Sequence, residues 1–245
     1  MVVHAARKNL IDFSIATDYR YEPNWFHEAL GMVLESAMGK VEKGEDVRII
    51  IEAPPRHGKS EISTKKFPAW VLGHHPEWPI VVGSYSTDLA LTFGEETRDI
   101  MQSPQYQAVF RTRLRPDNKS KGYWKTDQGG SYKAAGAGGS FTGKGFKIGI
   151  IDDVFKDRKE ADSQTIRDAR WAWYRSTFYT RQEGASAIII INTRWHTDDL
   201  VGRLLVEQEK NESEHTENYD KWTRLTFPAV ATENEIYRNK GDALW

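Results

Sequence analysis

The β-branched run Val47-Arg48-Ile49-Ile50-Ile51-Glu52 passes straight into Ala53-Pro54-Pro55-Arg56-His57-Gly58-Lys59-Ser60. No other stretch restricts the possible folds as much. The run is long enough for one buried strand, and Glu61-Ile62-Ser63-Thr64-Lys65-Lys66-Phe67 reads as the first turns of a helix. A strand, a tight loop ending Gly-Lys-Ser and a helix form a phosphate-binding arrangement. Backbone N–H groups and the helix N-terminus face an anion, a lysine reaches its outer phosphates, and a serine hydroxyl can ligate Mg²⁺. Lys59 and Ser60 fill those two places. The usual pattern opens with glycine; here Ala53 stands there, and Pro54 and Pro55 stiffen the loop. The competing reading is a Pro-rich turn with an exposed lysine, which leaves the strand running into it unexplained.

At 245 residues, 39% apolar and 28% charged, the chain can bury the core of one large domain. A formal charge of −1 gives no global attraction to nucleic acid, so any such contact must come from a local patch. With no cysteine, disulfides and Cys-based zinc sites are excluded. Neither a membrane-spanning apolar run nor a signal-peptide core is present, which predicts a cytoplasmic protein without a membrane partner.

Residues 1–20 show no clear period and read as an N-terminal arm, leaving 21–245 as the main domain. Phe26, Ala29, Leu30, Val33, Leu34 and Ala37 fall at helical spacing. A second strand, Ile80 to Tyr85, precedes a helix from Thr87 to Met101. Tyr123 to Ala135, split by Asp127-Gln128-Gly129-Gly130, reads as a hairpin, and Gly136 to Gly145 as a mobile loop. A third strand, Phe146 to Ile151, ends at Asp152-Asp153. A long helix from Asp162 to Gln182 follows, stopped by Gly184. The fourth strand, Ala187 to Ile191, runs into Asn192-Thr193-Arg194-Trp195-His196; Asp198-Asp199-Leu200 opens another helix, and Trp222 to Phe227 reads as a last strand. Apolar runs alternating with helices predict an α/β fold, with a mostly parallel central sheet and helices on both faces. Ligands on such sheets bind at the carboxyl ends of the strands, where these motifs lie.

Hydrolysis of a nucleoside triphosphate requires one carboxylate for the metal and another to orient water. Asp152 fits the first role and Asp153 the second. Together with the loop, and with Trp173-Tyr174 and Asn192-Thr193-Arg194-Trp195-His196-Thr197-Asp198-Asp199-Leu200, they make the chain from about Tyr21 onward resemble the N-terminal ATPase domain of tailed-bacteriophage large terminase subunits. The resemblance implies a P-loop NTPase of the additional-strand, conserved-glutamate (ASCE) type. It also implies that the strand ending at Ile191 lies between those ending at Glu52 and Ile151. ATP and Mg²⁺ are the implied cofactors, with Pro54, Pro55, Arg56, His57, Gly58, Lys59, Ser60 and Glu61 holding the nucleotide and Trp25 and His27 near its base. Ser60 and Asp152 would hold the metal, Arg56 would meet the γ-phosphate, and Asn192, Thr193 and Arg194 would couple hydrolysis to movement; the other reading of Arg194 and His196 is that they pair with Asp198 and Asp199 and fix the helix start.

Three positions depart from the family pattern. Asp153 stands where the wider class has Glu, His27 where Gln is frequent, and Lys144 where many members carry a trans-acting Arg before the Asp-bearing strand. By this resemblance Lys144 serves a neighbouring subunit. The implied function is ATP-driven translocation of double-stranded viral DNA into a procapsid in the host cytoplasm, by a self-associated ring contacting a portal and a small terminase subunit. No nuclease activity is expected, because no second acidic cluster suited to two-metal cleavage follows. The alternatives are a helicase-like translocase and a nucleotide-gated scaffold with little hydrolysis. The helix with Arg167, Arg170, Trp171, Trp173, Tyr174, Arg175, Phe178, Tyr179 and Arg181 reads as amphipathic with its aromatics in the core, a DNA-facing or subunit-facing surface being the other reading.

Overall fold

A computed structural model describes residues 2–117, 120–141 and 143–244. In chain order it contains α1 (Val2–Lys8), α2 (Leu10–Thr17), α3 (Trp25–Glu42), β1 (Val47–Glu52), α4 (Phe67–His74), β2 (Pro79–Ser84), α5 (Thr87–Gln102) and α6 (Pro104–Val109). There follow β3 (Tyr123–Lys125), β4 (Ser131–Gly136), β5 (Phe146–Asp152), α7 (Arg158–Asp162), α8 (Gln164–Trp173), β6 (Gln182–Asn192), α9 (Leu200–Ser213) and β7 (Thr223–Thr226). The strands form one seven-stranded sheet in the order β3-β4-β2-β5-β6-β1-β7. Every neighbouring pair is parallel except β3–β4.

Alternation along the middle strands sends side chains into two cores. Ile49, Ile51, Ile189 and Ile191 enter the core beneath α2 to α6, while Ile50, Ile188 and Ile190 enter the one beneath α8 and α9. Burial on both faces is why these strands read as unbroken apolar runs. β6 pairs with β1 from Val47↔Ala187 to Glu52↔Asn192 and with β5 from Ile148↔Ala187 to Asp152↔Ile191. The strand ending near Ile191 therefore lies between the other two, and Glu52, Asp152 and Asn192 end at one level.

Of the residues expected as an arm, Val2–Lys8 and Leu10–Thr17 are helical, as α1 and α2. Asn9 caps α2 by accepting from the Asp12 N–H, and Ala6, Leu10 and Phe13 are fully buried in the first core. The long helix expected over 162–182 is broken into α8, a π-helical turn (Tyr174–Phe178) and a 3₁₀ turn (Tyr179–Arg181); α7 ends at Asp162 and β6 starts at Gln182. Trp173, Tyr174 and Phe178 are buried in the second core, in line with the amphipathic reading. The Gly136–Gly145 loop is anchored by Phe141, which is fully buried among the same residues. Among the described residues no helix is long and apolar enough to cross a membrane.

Candidate functional site at the carboxyl ends of the strands

The loop after β1 is shaped from below. Gly58 has φ +77° and Arg56 φ +62°, so the backbone turns through the left-handed region twice. His27, buried on α3, accepts from the Asn24 N–H through Nδ1 at 3.1 Å, which leaves Nε2–H to donate to the His57 carbonyl at 3.0 Å. A Cβ at position 58 would lie 2.4 Å from His27 Nε2. Only glycine satisfies both the torsion and this approach. Burial lowers the His27 pKa, outweighing the raising effect of the bond to His57, which favours the neutral ring. His27 thus supports the loop backbone. Trp25 stacks on Tyr237 at 5.1 Å with the Arg238 guanidinium over its ring, towards the chain's C-terminal part.

Lys59, 4% exposed, reaches across the strand ends. Its Nζ donates to the Ala53 carbonyl at 3.3 Å and to the Thr193 hydroxyl, and pairs with Asp153 Oδ2 at 3.2 Å. Thr193 N–H donates to Asp153 Oδ1 at 2.7 Å, and Asp153 N–H donates to the Ile191 carbonyl at 2.9 Å. Asp153 has φ +46°, a left-handed conformation that costs a non-glycine residue on the order of 1 kcal/mol. β6 thus supplies the groups that hold the carboxylate at the end of β5.

Asp152 is 2% exposed and accepts from the Thr64 hydroxyl at 2.5 Å. Burial, and then the adjacent Asp153 charge, raise its pKa to about 6 against the opposing pull of Thr64, Lys59 and Ser60. A buried carboxylate so raised, with the Ser60 hydroxyl near enough to favour its charged form, is a fitting partner for a divalent cation. A hydroxyl and one carboxylate suit Mg²⁺, which keeps water and phosphate oxygens as its other ligands. Among the described residues no group of three or more His, Cys, Asp or Glu forms a self-sufficient metal cage.

Beside this cluster lies an ion-pair network around Glu52, of which the sequence suggested only the pairing of Arg194 with Asp199. Glu52, 4% exposed, accepts from Arg194 Nη1, Arg224 Nε and the Thr226 hydroxyl, each at 2.8 Å. Burial alone would raise the Glu52 pKa, but these three donors together bring it below its ordinary value. Arg194 Nε also donates to Asp199 Oδ2 at 2.9 Å; Asp199 caps α9 through the Gly202 N–H at 2.8 Å and accepts from Asn192 Nδ2 at 3.4 Å. Of the three residues assigned to coupling, Thr193 faces Lys59 and Asp153, whereas Asn192 and Arg194 face Asp199.

Arg56 is exposed on the loop and forms no ion pair with a described residue. Lys144 is not brought to this site in its own chain. It precedes β5, whose seven residues span about 20 Å before Asp152 is reached, and its Nζ lies 4.6 Å from the Tyr123 ring centroid. Thr142, beside it in sequence, lies outside the described residues. Thr64, Glu52 and Arg224 were not singled out in the sequence, whereas Asp199 opens α9 and pairs with Arg194 as its position suggested. The available signals were a carboxylate ending an apolar strand and a hydroxyl one turn beyond Ser60.

Strand order defines an α/β fold with a seven-stranded, mostly parallel sheet in which β6 lies between β1 and β5. The profile of the family described as "Terminase large subunit, T4likevirus-type, N-terminal" matches residues 50–245, and the chain belongs to that family. No curated protein matches it. Among solved structures, the HK97 bacteriophage large terminase is similar at 18% identity with a TM-score of 0.50, over 86% of this chain and 40% of that one. The large terminase of a thermophilic bacteriophage is similar at 11% identity with a TM-score of 0.43, over 87% and 43%. The chain therefore spans less than half the length of either.

Proposed function

We propose that this chain hydrolyses ATP and that hydrolysis drives movement of duplex DNA into a phage procapsid in the host cytoplasm. The observation that carries this reading is the contact between Lys59 and Asp153 at the strand ends, 3.2 Å apart, with Thr193 bonded to both. When a triphosphate enters the loop, Lys59 transfers its hydrogen bonds to the β- and γ-phosphate oxygens. Asp153, still held by the Thr193 N–H, is then released to accept the proton of a water in line with the γ-phosphorus. The water oxygen bonds to phosphorus, the bond to the ADP oxygen breaks, and the proton rests on the carboxylate before leaving with phosphate. Arg56 adds positive charge from the exposed side of the loop. Mg²⁺, held by Ser60 and Asp152, would neutralise charge on the phosphate oxygens. The remaining loop residues, Pro54, Pro55, His57 and Glu61, shape the cradle.

The family membership supports the partners: DNA, further copies of the chain in a ring, a portal and a small subunit. The test is phosphate release from ATP by the purified protein, with and without duplex DNA. Turnover that DNA stimulates is the expected result. Nucleotide binding without turnover would favour a gated scaffold instead.

A further inference from the structure

We propose that the open face of the β3–β4 hairpin binds the phosphate backbone of duplex DNA through Lys125, Lys133 and Lys144, gathered around Tyr123. This rests on the reading of the chain as a DNA-moving protein and assigns the contact to particular residues.

Alternation gives the hairpin two faces. On one, Trp124 and Tyr132 stack at 4.8 Å and are fully buried, and Trp124 Nε1–H donates to the Gly94 carbonyl of α5 at 3.1 Å. On the other face lie Tyr123, Lys125, Ser131 and Lys133, all half-buried, with Tyr123 paired opposite Lys133. Ala135, further along β4 on that face, enters the second core. The residues before it stay partly exposed. Lys133 Nζ lies 5.9 Å and Lys144 Nζ 4.6 Å from the Tyr123 ring centroid. Slight burial raises the Tyr123 pKa, but hydrogen bonds and charge from Lys144 and Lys125 bring it below the ordinary phenol value.

Two neighbouring cations are matched by carboxylates. Lys121 pairs with Glu95 and Arg115 with Asp117, each at 2.8 Å. Lys133 and Lys144 form no ion pair with a described carboxylate; each is placed over the Tyr123 ring. Lysine on an edge strand also deters strand pairing between molecules. That accounts for Lys125 on β3, but not for Lys133 on the interior strand β4 or Lys144 in the loop. Three point charges spread over a strand face suit a row of phosphates. A single triphosphate is instead enclosed by converging backbone N–H groups, as at the Lys59 loop. The phenol adds a hydroxyl of the kind that donates to phosphate oxygens. In a chain of net charge −1, such a local patch is the required route to DNA.

The test is fluorescence anisotropy of a labelled duplex of about 30 base pairs over a range of salt concentrations. The proteins are wild type, the triple variant Lys125→Gln/Lys133→Gln/Lys144→Gln, the single variant Lys133→Gln, and a control triple Lys40→Gln/Lys43→Gln/Lys210→Gln at exposed positions elsewhere. The slope of log affinity against log salt should become shallower by about 2.7 in the triple and about 0.9 in the single variant, and stay unchanged in the control. Thermal unfolding checks that each variant is folded, and the single variant decides the matter if the triple is not. A slope equal to wild type, or a loss matched by the control, would overturn the assignment. So would unchanged DNA binding with a lost rise of ATP turnover at high protein concentration, which would give the cluster to a neighbouring copy's nucleotide. Wild type that fails to bind duplex at all would refute the DNA-moving reading itself.

Discussion

Lys59 and Glu52 stand a few residues apart at the end of β1, and each anchors a cluster of charges built in an opposite way. Glu52 is saturated. Its carboxylate takes three donors at 2.8 Å, from β6's continuation and from β7, and it is 4% exposed. Lys59 is held by contacts that can be exchanged: a carbonyl at 3.3 Å, a hydroxyl, and a carboxylate at 3.2 Å whose own backbone sits at φ +46°. A buried charge with every partner in place resists movement, since losing one partner leaves an uncompensated ion. A strained and loosely bonded pair can trade partners for a ligand at small cost. On the proposed mechanism the contrast makes Glu52, Arg194 and Asp199 a fixed frame and Lys59 and Asp153 a moving part, with Thr193 bonded to both members of the latter.

Lys59→Ala attacks the moving part and should have the largest effect. Nucleotide binding should weaken at least tenfold and hydrolysis fall by orders of magnitude, because phosphate charge loses its partner. Titration with a fluorescent ATP analogue and phosphate release measure the two. Folding stability should hold or rise, since Asp153 keeps the Thr193 N–H; a large fall would show that Lys59 belongs to the frame.

Glu52→Ala attacks the frame. It leaves Arg224 and Arg194 without their shared carboxylate and should lower stability by roughly 3 kcal/mol in urea unfolding. A change within about 0.5 kcal/mol would erase the distinction between the clusters.

The smallest effect is the pH response of the loop support. Folded His27 titrates below 6.5, so the unfolded chain binds the proton more readily. Stability is therefore fully present above 6.5 and is lost as pH falls from there through the folded pKa. His74, likewise lowered by burial, adds to the same fall. His27→Gln should flatten the dependence of Tm on pH across that window and leave the His74 share. An unchanged slope would remove His27 from beneath the loop as a neutral ring.

Much of the fold was legible in the chain. Four apolar runs located the middle strands, and Lys59, Asp152 and Asp153 were readable because local spacing alone brings them to strand ends. Glu52 and its donors were not: Arg194 and Arg224 lie 142 and 172 residues away, and only strand order brings them together. Asn9 divides α1 from α2 into pieces of seven and eight residues. Such short helices depend on tertiary packing, and the break hides the spacing of Ala6, Leu10 and Phe13. The π-helical and 3₁₀ turns after Trp173 were invisible, because helix-compatible residues do not announce a changed hydrogen-bond pattern. Gly184, read as a helix stop, lies within β6 at φ +61°.

The central claim is that Asp153 receives the proton of the attacking water while the loop holds the nucleotide. Asp153→Asn separates these roles, because an amide keeps the shape but cannot accept the proton. Phosphate release and ATP affinity should be measured on this variant and wild type side by side. Affinity within a few-fold of wild type, with turnover reduced at least a hundredfold, is the predicted result. Turnover at the wild-type rate would contradict it.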